Sequence, residues 1–278
     1  MPHSCQTTKK PARSLHIAVI LTDTSMASHV KDTHGSYSDI FRRHLLLSLQ
    51  LSGRDEVDLV LDAYDATLGQ YPSEDLLVEG APGAYDGLLI SGSFATVYQE
   101  AKYPWIPQLL TFLRRVGDDF AHVRMIGICF GLQCLTRAYG GEVVRNPAGW
   151  ELGTYDINLT PTGEKLFGKS TVGMQQWHAD MAVAPPPEGN FHLVGSSTKT
   201  PVHSMVSFYP DSDKVHMLAF QGHPEFNPSI LNLIMDSQEA IGAFHPDVVR
   251  SCRERADIPH DGLGVLGQKM CEIFLGEA

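Results

Sequence analysis

The sequence has 278 residues, of which 43% are hydrophobic and 19% charged, so it is long enough for one large α/β domain or two small ones. Its net charge of −11 at pH 7 argues against a nucleic-acid backbone or an anionic membrane surface as a partner. The five cysteines are odd in number and include no C-x-x-C pair, which indicates neither a disulfide framework nor a zinc site and predicts a reducing, cytoplasmic environment.

The chain opens with a polar segment, Met1 to Ser14, that lacks the apolar core of a signal peptide and is predicted to be a disordered leader. No apolar run approaches the roughly 18 residues that a membrane helix requires.

The continuous apolar run from Leu15 to Leu21 is typical of a buried parallel strand. Residues 23–37 are small and polar and predict a loop.

From residue 38 to the middle of the chain, helical patterns alternate with apolar runs. Helices are expected over 38–51, 104–116 and from Cys129 to 139, and strands over 57–62, 85–91 and 123–128. Strands and helices that alternate at this spacing predict an open, mostly parallel sheet with helices on both faces.

The second half of the chain has shorter, partly alternating runs that are broken by proline and glycine. They predict a small antiparallel addition with strands over 155–159, 181–184, 192–195 and 202–208. A strand over 214–221 is expected to return to the sheet, followed by helices over 228–241, 247–254 and 262–275. Because no repeat or clear linker divides the chain, residues 15–278 are expected to form a single α/β domain.

The most informative stretch follows the strand over 123–128. Gly127, Cys129 and Gly131 form a G-x-C-x-G pattern, the layout of a nucleophile elbow in which glycines relieve crowding around a strained turn. Such a turn places Cys129 at a helix N-terminus, where the helix dipole favours a thiolate. A packed cysteine in an ordinary strand-to-helix turn is the alternative, and the pentapeptide alone leaves both open.

A cysteine nucleophile needs a base and a group that orients the base. His223 and Glu225 follow directly on the strand over 214–221, with Pro224 between them. Side chains two positions apart at a strand end can lie side by side, so the carboxylate can hold the imidazole tautomer. A surface His-Pro-Glu turn is the alternative interpretation.

Together these motifs resemble the class I glutamine amidotransferase family, the Cys-His-Glu hydrolases that open the amide of glutamine. The resemblance extends from about Ile17 to Ile234 and implies a flavodoxin-like sheet. Further matching stretches are Ile90–Ser93, Gly149–Gly153 and Trp177–Asp180.

The resemblance implies a role for each matching residue. Cys129 would attack the γ-carbonyl, His223 would carry the proton and Glu225 would orient His223. The N–H groups of Gly92 and Phe130 would stabilise the oxyanion. The residues implied to bind the glutamyl group or shape its loop are Ser93, Gln133, Trp177, His178 and Asp180. Ser93 stands where many members have a second glycine.

A narrower resemblance is to the stand-alone γ-glutamyl peptidases of plants and their fungal relatives. It is carried by the stretches His34–Phe41, Gln221–Phe226 and Cys271–Leu275. It implies a small γ-glutamyl substrate, which is glutamine, glutathione or a glutathione conjugate, and no cofactor or metal. Two alternatives stay open: a glutaminase subunit that supplies ammonia to a separate synthetase, and a non-hydrolytic redox or binding protein.

Overall fold

A computed structural model of the protein describes residues 13–23 and 28–278. Within these residues the strands, in chain order, are β1 (Arg13–Leu21), β2 (Val57–Asp65), β3 (Gly87–Ile90), β4 (Arg124–Ile128), β5 (Val143–Arg145), β6 (Glu151–Leu159), β7 (Thr171–His178), β8 (Asp180–Ala182), β9 (Phe191–Ser196), β10 (Ser204–Phe208) and β11 (Val215–Phe220). The α-helices are α1 (Ser28–His34), α2 (Tyr37–Leu51), α3 (Ile106–Asp119), α4 (Phe130–Ala138), α5 (Pro161–Phe167), α6 (Pro228–Ala240), α7 (Pro246–Ala256) and α8 (Gln268–Phe274).

Nine of these strands form one sheet in the order β2-β1-β3-β4-β11-β10-β9-β6-β7. The first five are parallel to one another, and from β11 onward each neighbouring pair is antiparallel. Strands β5 and β8 form a separate antiparallel pair. The predicted fold class is confirmed, and the antiparallel addition turns out to be mainly a continuation of the same sheet.

Side chains along the parallel strands alternate between two cores, one on each face of the sheet. In β3, Leu89 packs into the core with α2, α6 and α8, whereas Leu88 and Ile90 pack into the core with α3 and α4. The apolar runs that predicted these strands are continuous because helices cover both faces.

One predicted loop contains a helix. Residues 28–34 of the expected loop over 23–37 form α1, which has a single buried residue, Val30, and therefore no apolar stripe for sequence analysis to detect. The two histidines of α1 lie within hydrogen-bond distance of residues in α6. His29 Nε2 lies 2.7 Å from the Leu233 carbonyl oxygen, and His34 Nε2 lies 2.9 Å from Ser229 Oγ.

The ends of the chain also differ from expectation. Residues 1–12 of the predicted leader lie outside the described residues, but Arg13 and Ser14 already belong to β1. Arg13 Nη1 donates to the Leu275 carbonyl oxygen at 2.8 Å. This hydrogen bond ties the first residue of β1 to the residue that follows α8. The helix expected over 262–275 divides into a π-helical segment, Gly262–Gly267, and α8.

The strands that carry the candidate site depend on the core around β4. Ile126 is fully buried there. We predict that Ile126→Ala lowers the free energy of unfolding by about 2–5 kcal/mol, because truncation removes buried methyl groups and leaves a cavity. Urea unfolding measures this change. Leu51→Ala, at a side chain that is 59% exposed, is the matched control and should cost less than about 0.5 kcal/mol. Equal losses in both variants would contradict the prediction.

Candidate active site

Cys129 occupies a strained turn between β4 and α4. Its backbone has φ 52° and ψ −99°, a conformation that non-glycine residues rarely adopt. A Cβ atom on Gly127 would lie 2.7 Å from the carbonyl carbon of Gly131, and one on Gly131 would lie 2.7 Å from the Ile90 carbonyl oxygen. Both positions therefore require glycine for β3, β4 and α4 to pack this closely.

His223 and Glu225 form a buried pair just beyond β11. His223 Nδ1 lies 2.8 Å from Glu225 Oε1, and the imidazole stacks on the Phe226 ring with centroids 4.0 Å apart. The His223 N–H donates to the Gln175 carbonyl oxygen at 2.8 Å, which ties the segment to β7. The carboxylate and the stacked ring together fix the orientation of the imidazole.

Gly92, Cys129 and His223 converge at one point. A Cβ atom on Gly92 would lie 2.8 Å from His223 Cε1 and 3.6 Å from Cys129 Cβ. Burial lowers the pKa of His223, but the charges of Glu225 and Cys129 outweigh burial and raise that pKa to about 10. The imidazole is therefore protonated at neutral pH, and it can donate a proton to a group held beside Cys129.

Gly92 and Phe130 each contribute a backbone N–H group close to Cys129 in the chain or in space. Phe130 is the first residue of α4, so its N–H has no partner within the helix. Thr22 Oγ1 lies 3.1 Å from the Ser91 carbonyl oxygen and 2.9 Å from the Gly92 carbonyl oxygen, and its single proton can be donated to either. Because the C=O and N–H of a trans peptide point in opposite directions, the Gly92 N–H of the Ser91–Gly92 peptide points away from Thr22.

The hydroxyl of Ser93 is occupied within its own loop. Ser93 Oγ donates to the Thr22 carbonyl oxygen at 2.8 Å and accepts from the Ala95 N–H at 3.0 Å. Ser93 thus shapes the loop that carries Gly92, and its hydroxyl is not directed at a ligand.

A narrow cavity of about 80 Å³ opens over Cys129. Its walls include every predicted substrate-binding side chain: Ser93, Gln133, Trp177, His178 and Asp180. Its size suits a single amino-acid side chain better than a drug-sized ligand. A larger groove of about 590 Å³, beside Lys165 and Tyr209, contains no cysteine and none of these residues. The candidate site is therefore identified by the chemistry of its lining residues and not by the volume of the cavity.

Gln221 belongs to the site although the sequence analysis assigned it no role. Gln221 Nε2 donates to Cys129 Sγ at 3.6 Å, and Gln133 Nε2 lies 3.5 Å both from Gln221 Oε1 and from the Asp180 carbonyl oxygen. The spacing of Gln221 could have predicted this role. Residues 221, 223 and 225 follow a strand at intervals of two, and side chains at that interval point to the same side.

The outer wall of the cavity carries a charged pair. Arg145 and Asp180 are opposite each other in the pairing of β5 with β8, and Arg145 Nη1 lies 3.5 Å from Asp180 Oδ1. Tyr98 Oη donates to the same oxygen at 3.2 Å. Trp177 packs edge-on against Phe244, with ring centroids 6.0 Å apart. The cavity thus combines an apolar wall with one positive and one negative group.

His178 does not face Cys129 as a second base. Its Nδ1 lies 3.2 Å from the Asp180 carbonyl oxygen, and its Nε2 lies 3.1 Å from Glu151 Oε2. Burial lowers the pKa of His178. Both ring nitrogens are therefore directed at protein oxygens, and His223 is the imidazole placed beside the sulfur.

Comparison with known proteins identifies the family. The sequence profile described as "Glutamine amidotransferase class-I" matches residues 61–236. The chain belongs to the class I glutamine amidotransferase family. Among curated relatives, a glutamine amidotransferase-like protein of Schizosaccharomyces pombe is 32% identical over 252 residues, which cover 88% of this chain and 93% of the relative.

A second relative of the same family is γ-glutamyl peptidase 3 of Arabidopsis thaliana. It is 29% identical over 262 residues, which cover 91% of this chain and 93% of the relative. Among solved structures, a glutamine amidotransferase from Thermotoga maritima superposes with a TM-score of 0.63 at 17% identity, covering 94% of this chain and 98% of that one. That structural likeness confirms the class I glutamine amidotransferase fold.

The charge of Glu225 controls the protonation of His223. Because the pKa of His223 is raised to about 10, the imidazolium persists through neutral pH and is lost as the pH rises through that value. We predict that Glu225→Gln lowers this pKa by about one to three units, since the carboxylate charge is removed. An NMR titration of the ring protons measures both proteins.

His216 serves as an internal control in the same spectra. Burial on β11 lowers the pKa of His216 to about 4, and this value should not change in the variant. A His223 midpoint that is the same in Glu225→Gln and in the unaltered protein would refute the role of the carboxylate.

The hydrogen bond from Gln221 should make Cys129 more reactive. A bond to a charged acceptor contributes about 1.5–3 kcal/mol, so Gln221→Leu should slow iodoacetamide alkylation of Cys129 at pH 7 by about tenfold. Peptide mass spectrometry follows the reaction at this cysteine. Gln176→Leu is the matched control, because Gln176 is equally buried but donates to the Met174 carbonyl oxygen. Identical alkylation rates in the two variants would rule out the effect.

Proposed function

We propose that the protein is a cysteine hydrolase that cleaves γ-glutamyl amide bonds through a γ-glutamyl thioester. The observation that carries the proposal is the convergence of Cys129, which lines the cavity, with the buried His223–Glu225 pair and with Gly92. A nucleophile, a base with its orienting carboxylate and oxyanion donors are the parts that acyl transfer requires.

The first half of the reaction forms the thioester. The Cys129 thiolate attacks the γ-carbonyl carbon, and the negative charge that develops on oxygen is stabilised by the N–H groups of Gly92 and Phe130. The His223 imidazolium then donates its proton to the leaving nitrogen. The C–N bond breaks, an amine or ammonia departs, and the glutamyl group stays bound to sulfur.

The second half releases glutamate. Water takes the position of the departed amine, and neutral His223 accepts its proton as the oxygen attacks the thioester carbon. The C–S bond breaks, and the proton on His223 and the thiolate of Cys129 are restored. Glu225 keeps Nδ1 of the imidazole protonated throughout, so that Nε2 exchanges the proton.

Peptides of the glutathione type are the substrates that we favour. Sequence similarity to an Arabidopsis γ-glutamyl peptidase along nearly the whole chain supports a peptide-like leaving group. The exposed aromatic side chain of Phe94 and the half-buried Trp150 lie at the mouth of the cavity, where they would contact the part of the substrate beyond the scissile bond.

Two alternatives make different predictions. A glutaminase subunit would hydrolyse glutamine weakly alone and faster when an acceptor synthetase is added. A redox or binding protein would form a stable sulfenic acid at Cys129 and release no glutamate.

The deciding experiment assays glutamate release from glutamine, glutathione and a glutathione S-conjugate. We predict release from at least one of the γ-glutamyl peptides, with a rate that falls by at least about 10⁴-fold in Cys129→Ala. Mass spectrometry of a quenched reaction should detect a glutamyl adduct on Cys129.

Cys134→Ala is the matched control for this experiment. Cys134 lies in α4 and is fully buried, so its removal should leave the rate of glutamate release nearly unchanged. Absence of glutamate release from every substrate, or a rate in Cys129→Ala equal to that of the unaltered protein, would overturn the proposal.

A further inference from the structure

Behind the wall of the cavity lies a second cluster of functional side chains that the proposed reaction does not use. Glu151 begins β6, His178 ends β7, and the pairing of these strands sets the two residues opposite each other. His203 approaches from the segment before β10. One potential ligand atom from each of the three side chains lies within 4.8 Å of the other two, and all three residues are almost fully buried.

The hydrogen bonding of this cluster is incomplete. His178 Nε2 lies 3.1 Å and His203 Nε2 lies 3.6 Å from Glu151 Oε2, yet among the described residues neither nitrogen has an aligned hydrogen-bond partner. Buried polar atoms are rarely left in this state. Two orphaned nitrogens that are directed at one carboxylate oxygen need a shared explanation.

The tautomer of His178 limits which species can lie between its Nε2 and Glu151. Its Nδ1 lies 3.2 Å from the Asp180 carbonyl oxygen, which can only accept, so Nδ1 carries the ring proton of the neutral imidazole. Nε2 then presents its lone pair to the Glu151 carboxylate. Two electron-rich atoms 3.1 Å apart repel each other unless a positive species lies between them.

We infer that Glu151, His178 and His203 bind one divalent transition-metal ion of the Zn²⁺ type. Two imidazole nitrogens and one carboxylate oxygen are a ligand set that such ions prefer. A metal pairs with both Nε2 atoms at once, whereas an additional proton on His178 would leave His203 Nε2 3.6 Å from Glu151 Oε2 without an aligned partner. His203 Nδ1 also has no hydrogen-bond partner among the described residues, and the ion would not change this.

Hydrogen bonds around the cluster orient the ligands as they do in metal sites. Ser197 Oγ donates to Glu151 Oε1 and Thr200 Oγ1 donates to Glu151 Oε2, both at 2.6 Å. A ligating histidine commonly donates its other N–H to a backbone carbonyl, as His178 does to Asp180. These bonds hold Glu151 and His178 in place before an ion arrives.

The ion would have a structural role. It would join β6, β7 and the segment before β10, and through the carbonyl oxygen of Asp180 it would stiffen the cavity wall that carries this residue. His178 also lines the cavity over Cys129, whereas Glu151 and His203 do not. The inference does not depend on the reaction proposed for Cys129.

Metal analysis of the full-length protein tests the site. We expect one Zn²⁺ per chain after incubation with ZnCl₂ and gel filtration, measured by plasma mass spectrometry. Zn²⁺ at about 100 times its Kd should raise Tm by on the order of 5 °C. Co²⁺ should give the visible spectrum of a tetrahedral site without a thiolate charge-transfer band, since no cysteine is a ligand.

Four variants make the test specific. His203→Gln and His178→Gln should lose the bound ion and the rise in Tm. His216→Gln, a buried histidine on β11 outside the cluster, should keep both and shows that the loss is not a general effect of such a substitution. Cys129→Ala should also keep the ion. Absence of stoichiometric metal in the unaltered protein, or an ion that is lost in Cys129→Ala and kept in His203→Gln, would overturn the inference.

Discussion

The candidate site depends on the parallel pairing of β4 with β3 on one side and with β11 on the other. Gly127 of β4 pairs with Ile90 of β3, and Ile128 of β4 pairs with Phe220 of β11. In this register the carboxyl ends of the three strands lie side by side at one edge of the sheet. The chain turns just beyond each end, and the convergence of an N–H donor, a nucleophile and a base therefore follows from the sheet itself.

The same pairing holds Cys129 in its unfavourable backbone conformation. Strain of this kind costs about 1–3 kcal/mol and persists only where the surroundings over-determine it. Here the Cys129 N–H donates to the Phe220 carbonyl oxygen at 2.7 Å, and α4 packs onto β3 so closely that only glycine fits at position 131. The fully buried strands on both sides supply the stability that offsets the strain.

Sequence analysis could predict the parallel half of the fold and the residues at its edge, because these depend on local patterns. Apolar runs, the glycines around Cys129 and the His223–Glu225 spacing are all visible within short windows. The strands of the antiparallel half are less visible, and their cavity-lining residues Trp177, His178 and Asp180 were predicted from the family resemblance and not from a local pattern. Strands β6 and β7 bury Glu151, Gln175 and Gln176, so their buried positions look polar and the strand pattern is lost.

The cluster of Glu151, His178 and His203 was beyond sequence analysis for a related reason. The expectation of no zinc site rested on the cysteines, and the three side chains are brought together by strand pairing across long separations. The sequence spacing of these three residues matches no short motif that would predict their contact. Only the three-dimensional structure shows that two imidazoles and a carboxylate share one buried space.

The two halves of the sheet therefore carry different parts of the candidate site. The parallel half positions Cys129, His223 and the N–H donors, which are the groups assigned to the scissile bond in the proposed reaction. The antiparallel strands and the β5–β8 pair contribute Trp177, Asp180 and Arg145, which line the cavity. The Asp180 carbonyl oxygen is the point where the halves meet, because it receives both Gln133 Nε2 from α4 and His178 Nδ1 from β7. A shift of β7 relative to α4 would change both contacts, so the packing of these two elements sets where this cavity wall lies relative to the Cys129 sulfur.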